Sequence, residues 1–99
     1  MNLLFAERAR ADIAGIYDGI AIHNPVAAQR VEDTIRLACD QIGQYPYASA
    51  KTDEPNVRRL PVVHFPYTIY FRIDATAQIV EIARVIHSAR IENLRKLPG

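Results

Sequence analysis

The 99-residue sequence lacks most of the features that identify common functional classes. It has one cysteine, so an intrachain disulfide is excluded, and no spacing of Cys and His resembles a zinc site. No apolar run approaches the roughly 18 residues needed to cross a bilayer. The 12 basic and 11 acidic side chains nearly cancel, which excludes a protein that binds polyanions through bulk charge alone. The N-terminus has no basic region followed by a cleavage site, so we expect an intact cytoplasmic protein.

Familiar catalytic motifs are also missing. The sequence contains no glycine-rich phosphate loop, no paired histidines on a helix and no nucleophile elbow. The acidic pairs at positions 32–33 and 53–54 are interpreted as solvated surface charges. Cys39 lies beside apolar positions of a predicted helix and is interpreted as a small core residue rather than a nucleophile. We therefore predict neither a bound metal nor a cofactor.

The composition is that of one small globular domain. Hydrophobic residues make up 49% of the chain and charged residues 23%, which argues against disorder. A chain of this length buries about 65% of its unfolded surface, enough for one modest core. No repeat, linker or low-complexity segment divides it, so we predict a single domain over residues 1–99.

The first half of the chain predicts a short strand and two helices. Residues 3–5 are an apolar run typical of a strand, and from about Glu7 the apolar spacing becomes helical. Asn24 followed by Pro25 predicts the start of a second helix that ends near Ile42, with Gly43 just beyond it. The two helices would form an antiparallel hairpin. The predicted apolar stripes are Ala9, Ile13, Ile16 and Ile20 on the first helix, and Ala27, Val31, Thr34, Ile35, Ala38 and Ile42 on the second.

The second half predicts a sheet. Residues 45–55 are expected to be a loop, and residues 57–63, 67–73 and 78–86 have the composition of strands. Pro61 argues against a fully paired central strand at 57–63, whereas residues 78–86 are apolar on both sides and are expected to be central. Ser88 is predicted to cap a last short helix that carries Ile91, Leu94 and Leu97. This order predicts an α+β domain with the hairpin on one face of a twisted, mostly antiparallel sheet.

Positive charge is concentrated in the predicted sheet and last helix. Residues 58–96 carry a net charge of +4, and the first 57 residues carry −3. By strand alternation, Thr68, Tyr70 and Arg72 share one face. The same rule places Arg84 with Val80 and Ile82.

Three residues near the end of the last strand have two possible roles each. Arg84 interrupts an apolar strand, and Arg90 lies in the first turn of a helix, where a cation opposes the helix dipole. Each arginine either binds an external carboxylate or phosphate, or pairs internally with a Glu or the chain terminus. His87 is either a hydrogen-bonded residue at the strand end or an acid/base group.

Several short motifs together resemble the ParE/RelE toxin superfamily of bacterial type II toxin–antitoxin pairs. They are NP-x-AA at positions 24–28, Pro46, RRL at 58–60, PY-x-IY at 66–70 and the segment 82–90, which closes with H-x-x-R. The resemblance spans nearly the whole chain in the same order. It implies a helical hairpin against a twisted antiparallel sheet. It also implies a cognate antitoxin partner, with which the chain would form a hetero-oligomer.

The superfamily contains two mechanisms. The ParE branch poisons DNA gyrase without known hydrolytic residues, and the RelE branch cleaves mRNA in the ribosome. The nuclease branch typically has an arginine where this sequence has Tyr67, and its lysine pair is reduced here to Lys51. The resemblance therefore favours a gyrase inhibitor. If the chain is instead a ribosome-dependent mRNA endonuclease, its catalytic residues would be His87, Arg84 and Arg90; a third possibility is an inactive relic that only binds antitoxin.

Binding residues follow from the resemblance together with the basic sheet. We expect an acidic and apolar antitoxin segment to lie against the sheet and the hairpin. Arg84→Glu is expected to weaken the affinity for antitoxin. The predicted antitoxin contacts are Arg59, Tyr70, Arg72 and Arg84, and the predicted target contacts are Arg58, His87 and Arg90.

Overall fold

A computed structural model describes residues 1–91 of the chain. Residues 88–91 are helical, and the remainder of the predicted last helix, including Leu94 and Leu97, lies outside the described residues. None of the described helices is long and apolar enough to cross a membrane. The elements are β1 (Asn2–Phe5), α1 (Glu7–Ala21), α2 (Pro25–Gln44), a 3₁₀ turn (Pro46–Ala48), β2 (Ala50–Lys51), β3 (Val57–Pro61), β4 (Tyr67–Asp74) and β5 (Ile79–His87).

The five strands form one sheet in the order β1-β5-β4-β3-β2. Strand β1 runs parallel to β5, and the other neighbours are antiparallel, which confirms the predicted α+β fold and the central position of β5. Strand β3 has neighbours on both sides, but β2 pairs only with Arg58 and Arg59. Pro61 lies beyond that short pairing and opposite Thr68 of β4. The proline therefore occupies a position with a strand on one side only, as its missing N–H requires.

The hairpin begins where the local sequence predicts it. Pro25 is the first residue of α2, and the Asn24 side-chain oxygen accepts a 3.0 Å hydrogen bond from the N–H of Ala27. This cap satisfies one of the donors that every helix N-terminus leaves unpaired. The connection between the helices is short and ends at the Asn24-Pro25 cap, so α1 and α2 pack side by side.

Both helices bury their apolar sides against the same face of the sheet. The prediction for α2 was partly wrong, because Ala28 is fully buried whereas Ala27 and Thr34 of the predicted stripe are only partly buried; the predicted burial of Cys39 is confirmed. The Thr34 hydroxyl instead donates a 2.9 Å hydrogen bond to the carbonyl of Arg30, one turn earlier. The fully or nearly fully buried core contains Ala9, Ile13, Val31, Ile35, Cys39 and Ile42 from the helices, with Val62, Ile69, Phe71, Val80, Ile82 and Val85 from the sheet region.

A β-bulge changes the faces of β5. Phe71 of β4 pairs with Ile82, but Tyr70 pairs with Arg84, so Ala83 is an extra residue in β5. The prediction that Arg84 shares a face with Ile82 and Val80 is therefore wrong. Strict alternation fails because one inserted residue reverses every later side chain of the strand.

Candidate functional site

The face of the sheet opposite α1 and α2 brings the predicted antitoxin-binding residues together. Arg59 of β3, Tyr70 of β4 and Arg84 of β5 are consecutive cross-strand partners. Directly opposed residues in a sheet share one face, so these three form a row. Arg72 and its partner Glu81 form the next row on the same face. We call the surface formed by Arg59, Tyr70, Arg72, Glu81 and Arg84 the open face.

The open face carries more positive than negative charge. Glu81 is its acidic member, and its carboxylate lies 3.9 Å from Arg72 with both side chains largely in solvent. Such an exposed pair holds weakly and leaves both groups available to a partner. Within residues 1–91, Arg59 has no carboxylate in ion-pairing distance. Tyr70 is half-buried between its two arginine neighbours and supplies an aromatic surface.

Arg84 is already engaged within the molecule. Its Nε donates to Oδ2 of Asp12 at 2.7 Å, and its Nη2 donates to Oδ1 of the same carboxylate at 3.2 Å. Side-chain exposures of 27% for Arg84 and 14% for Asp12 place the pair at the edge of the core. Donating these hydrogen bonds to Asp12 raises the pKa of the Arg84 guanidinium, so it stays charged. Of the alternatives that the sequence left open, the internal pairing is the one observed, with an aspartate as the partner.

Arg58 lies on the other side of β3. It pairs across the ladder with Phe71, and its guanidinium donates to the carbonyls of Ser49 at 2.7 Å and Tyr47 at 3.2 Å. The guanidinium carbon also lies 5.3 Å from the centre of the Tyr47 ring, within cation–π range. Arg58 therefore orders the segment between α2 and β3.

His87 and Arg90 are adjacent at the end of β5. The Nδ1 atom of His87 accepts a 3.1 Å hydrogen bond from the N–H of Ala89, and its ring meets the Tyr67 ring edge-on at 5.4 Å. Arg90 is exposed in the helical turn that follows. Because His87 pairs with Tyr67 and Arg58 pairs with Phe71, the two rows are about 13 Å apart along β4. The structure brings together two of the three predicted target contacts and separates the third.

Two further features bear on chemistry. Burial raises the pKa of the Cys39 thiol to about 12, which removes it as a nucleophile at neutral pH. In the described part of the chain, no three His, Cys, Asp or Glu side chains lie close enough to hold a metal ion. A cleft between the β2–β3 loop and the β4–β5 turn is lined by charges of both signs, including Lys51, Asp53 and Asp74. A cleft lined by both signs of charge does not favour either an anionic or a cationic ligand.

The functional residue that sequence reasoning missed is Asp12. It is adjacent to Ile13 in the buried stripe of α1, so a carboxylate at this position flanks the core rather than facing solvent. This position in the sequence could have indicated that Asp12 has a partner, because an ionised group beside buried apolar residues needs one. The partner is 72 residues away in the chain, where no local pattern connects the two.

Comparison with known proteins gives a consistent family. Residues 3–92 match the family model described as the ParE toxin of the type II toxin–antitoxin system parDE. The chain is 36% identical over 91 residues to Toxin RelE2 of Caulobacter vibrioides (strain ATCC 19089 / CIP 103742 / CB 15). That alignment covers 91% of this chain and 98% of the relative.

Solved structures share the fold at lower identity. A chain of the chromosomal ParDE toxin–antitoxin system from P. aeruginosa superposes with a TM-score of 0.77 at 24% identity, covering 88% of this chain and 95% of that one. A chain of the intact E. coli RelBE toxin–antitoxin complex superposes with a TM-score of 0.64 at 14% identity, covering 85% and 92%. The isolated E. coli RelE toxin gives a TM-score of 0.66 at 13% identity, covering 96% of both chains.

Proposed function

Because this chain belongs to the ParE toxin family of type II toxin–antitoxin systems, we propose that it inhibits DNA gyrase by binding and is neutralised by a cognate antitoxin. The observation that carries the choice of a binding mechanism is the state of Arg84. The Nε and Nη2 donors on one side of its guanidinium are engaged by the Asp12 carboxylate, so this bidentate set is not free to hold a scissile phosphate. Phosphodiester cleavage needs such a cation, because negative charge accumulates on the phosphate in the transition state.

The geometry of His87 supports the same choice. Its Nδ1 lone pair accepts the hydrogen bond from Ala89, so the neutral ring carries its proton on Nε2. In that state the imidazole has no free lone pair with which to take a proton from a ribose hydroxyl. At the position where the nuclease branch typically has an arginine, this chain has Tyr67, which packs edge-on against His87.

The test compares two targets with one preparation. Purified chain is added to gyrase with relaxed plasmid and, separately, to a bacterial translation extract with a reporter mRNA. We expect inhibition of supercoiling and an intact mRNA. Cleavage of the mRNA that disappears in His87→Ala would overturn the proposal in favour of the nuclease. Failure to act in either assay would also overturn it and leave an inactive relic.

The alternative function is ribosome-dependent cleavage of mRNA. The name of the curated relative, Toxin RelE2, favours it, as does the position of His87 beside Arg90 after the last strand. In that case Arg84, His87 and Arg90 would be the catalytic residues. Arg84 would first have to leave Asp12, so the alternative requires a rearrangement that the binding mechanism does not.

The antitoxin is proposed to lie on the open face. Arg59, Arg72 and the aromatic ring of Tyr70 offer charge and apolar area to an acidic, partly apolar segment. Arg84→Glu is a poor test of this contact, because it would place two carboxylates together at Asp12. Arg59→Glu and Arg72→Glu avoid that problem, since neither side chain is tied to the core.

The experiment measures the dissociation constant of the toxin–antitoxin complex by titration calorimetry. Each reversal on the open face should weaken binding about tenfold, the scale expected for a charge placed against like charge at an interface. Arg30→Glu, an equal change of charge on the exposed side of α2, is the matched control and should alter the affinity less than about twofold. Equal effects from all three variants would exclude the open face.

A further inference from the structure

The edge of β5 is protected by a side chain where its neighbouring strand ends. Strand β1 stops at Phe5, opposite Ile82, and the carbonyl of Ile82 accepts a 2.9 Å bond from Ala6. From that point onward, no described strand lies on this side of β5. Further along this edge, the N–H of Val85 donates a 2.9 Å hydrogen bond to Oδ2 of Asp12. The α1 carboxylate therefore replaces the missing strand for one hydrogen bond.

The same carboxylate also fills the guanidinium fork of Arg84. Asp12 thus accepts three hydrogen bonds, two from the side chain of Arg84 and one from the backbone of Val85. Arginine binds phosphate with this same geometry, in which two parallel N–H groups donate to two oxygens. An internal carboxylate and an external phosphate therefore compete for one set of donors.

The bulge makes this competition relevant to the open face. By inserting Ala83, it sets Arg84 opposite Tyr70, whose other neighbour is Arg59. Two arginines then flank one aromatic ring, with backbones about 10 Å apart across three strands. Two guanidinium groups beside an aromatic ring suit single-stranded nucleic acid, which binds through phosphate charge and base stacking. Asp12 removes one of the two cations from that arrangement.

We propose that Asp12 is a specificity-determining residue that withholds Arg84 from nucleic-acid phosphates and so keeps the open face from binding RNA. The substitution Asp12→Asn would preserve the size of the side chain and an acceptor for the Val85 N–H, but it would remove the charge and one acceptor. Arg84 then becomes available to an external anion. The proposal rests on the proposed binding mechanism, because a ribosome-dependent nuclease would have to bring Arg84 to its mRNA.

The experiment measures the binding of a fluorescein-labelled 20-nucleotide single-stranded RNA by anisotropy over a range of salt concentrations. Asp12→Asn should bind at least fivefold more tightly than wild type in low salt. Its plot of log affinity against log salt should be steeper by about 0.7, the contribution of one added phosphate contact. Adding Arg84→Gln to Asp12→Asn should return both values to those of wild type.

The matched control is Glu32→Gln. It makes the same change of net charge and removes the carboxylate that pairs with Arg36 at 3.0 Å, but this pair lies within α2, away from the open face, and Arg36 is exposed. Its RNA affinity should stay within twofold of wild type. If Asp12→Asn binds RNA no more tightly than Glu32→Gln, or if the gain persists when Arg84 is removed, the proposal is wrong.

A second comparison does not depend on the folding of an Asp12 variant. If Arg84 is withheld in the native chain, Arg84→Gln should have the same RNA affinity as Arg36→Gln, which lowers the charge equally on α2. A loss more than threefold greater for Arg84→Gln would show that Arg84 already reaches RNA, and would overturn the proposal. Circular dichroism and a thermal melt on each variant confirm that the folded chain is compared.

Discussion

Strands β3, β4 and β5 contribute to both faces of the sheet, but the two faces have opposite composition. On the face covered by the helices, Ile69, Phe71 and Ile82 are completely buried. On the open face, the adjacent residues Tyr70 and Arg72 remain partly or largely exposed. Each pair of neighbours in sequence therefore divides between the core and the proposed binding surface, because successive strand residues point to opposite sides. Residues that stabilise the fold and residues proposed to bind a partner therefore alternate along the strand.

The two faces are joined at one edge. Asp12 comes from a helix on the covered side, and its carboxylate holds Arg84, which is a cross-strand neighbour of Tyr70 on the open face. A change at this contact should affect both folding and binding, whereas changes elsewhere should affect one of them. The comparison of the faces can therefore be tested by where each substitution has its effect.

The largest effect is expected on the covered face. Phe71→Ala removes a ring that is completely buried among both helices and the sheet, and should lower the free energy of unfolding by about 4 kcal/mol. That is a large part of the total stability of a small domain. Urea denaturation followed by circular dichroism measures the loss. A midpoint unchanged from wild type would mean that Phe71 does not pack in the core.

The next effect is expected where the faces meet. Asp12→Ala leaves the Arg84 guanidinium and the Val85 N–H without their acceptor, at a cost of about 2 to 3 kcal/mol in the same measurement. Glu32→Ala is the control, because its pair with Arg36 is on the surface of α2 and should contribute about 0.5 kcal/mol or less. Equal losses for the two variants would contradict a structural role for the Asp12 contact.

The sequence predicted what depends on local pattern. The helix periodicity, the junction at Asn24 and Pro25, and the strand composition specified every described element to within about two residues of its ends, apart from the 3₁₀ turn and the short β2, both of which lie in the predicted loop at 45–55. The packing of both helices on one face followed from their single apolar stripes. The stripe of α2 was correct at Val31, Ile35 and Ile42 but omitted Ala28, because an alanine fits either side of a helix.

What depends on distant contacts could not be predicted. Nothing near β1 indicates that it runs parallel to β5, because parallel pairing carries no turn sequence. The bulge at Ala83 has no glycine or proline to mark it, so alternation placed Arg84 on the wrong side. The bond to Asp12 joins the first helix to the last strand. The four predicted antitoxin contacts nevertheless lie on the open face together with Glu81, and among them Tyr70 and Arg72 obey alternation.

A third prediction concerns pH and the covered side. Cys39 is completely buried, and burial raises the pKa of its thiol from 9.0 to about 12. The unfolded chain ionises this thiol above pH 9, whereas the folded chain keeps it protonated. The contribution of the protonated Cys39 thiol to the free energy of unfolding is therefore fully present below pH 9. It falls by about 1.4 kcal/mol per pH unit between pH 9 and pH 12.

The measurement for Cys39 is urea denaturation at pH 8, 9, 10 and 11. Tyrosine and lysine also titrate in this range, so Cys39→Ala, which cannot ionise, provides the reference at each pH. The difference in stability between wild type and this variant should shrink as the pH rises. A constant difference would place the thiol in contact with solvent. In the folded protein, iodoacetamide at pH 8 should leave Cys39 unmodified.

The smallest effect on folding is expected on the open face itself. Arg72→Ala removes one partner of a 3.9 Å ion pair whose side chains are 61% and 43% exposed, and should change the free energy of unfolding by less than about 0.5 kcal/mol. Arg72 is next to Phe71 in sequence, so this substitution and Phe71→Ala compare the two faces at adjacent positions of one strand. A loss above about 1 kcal/mol would show that the open face also stabilises the fold. The cations there could then not be varied for a new partner without cost to folding.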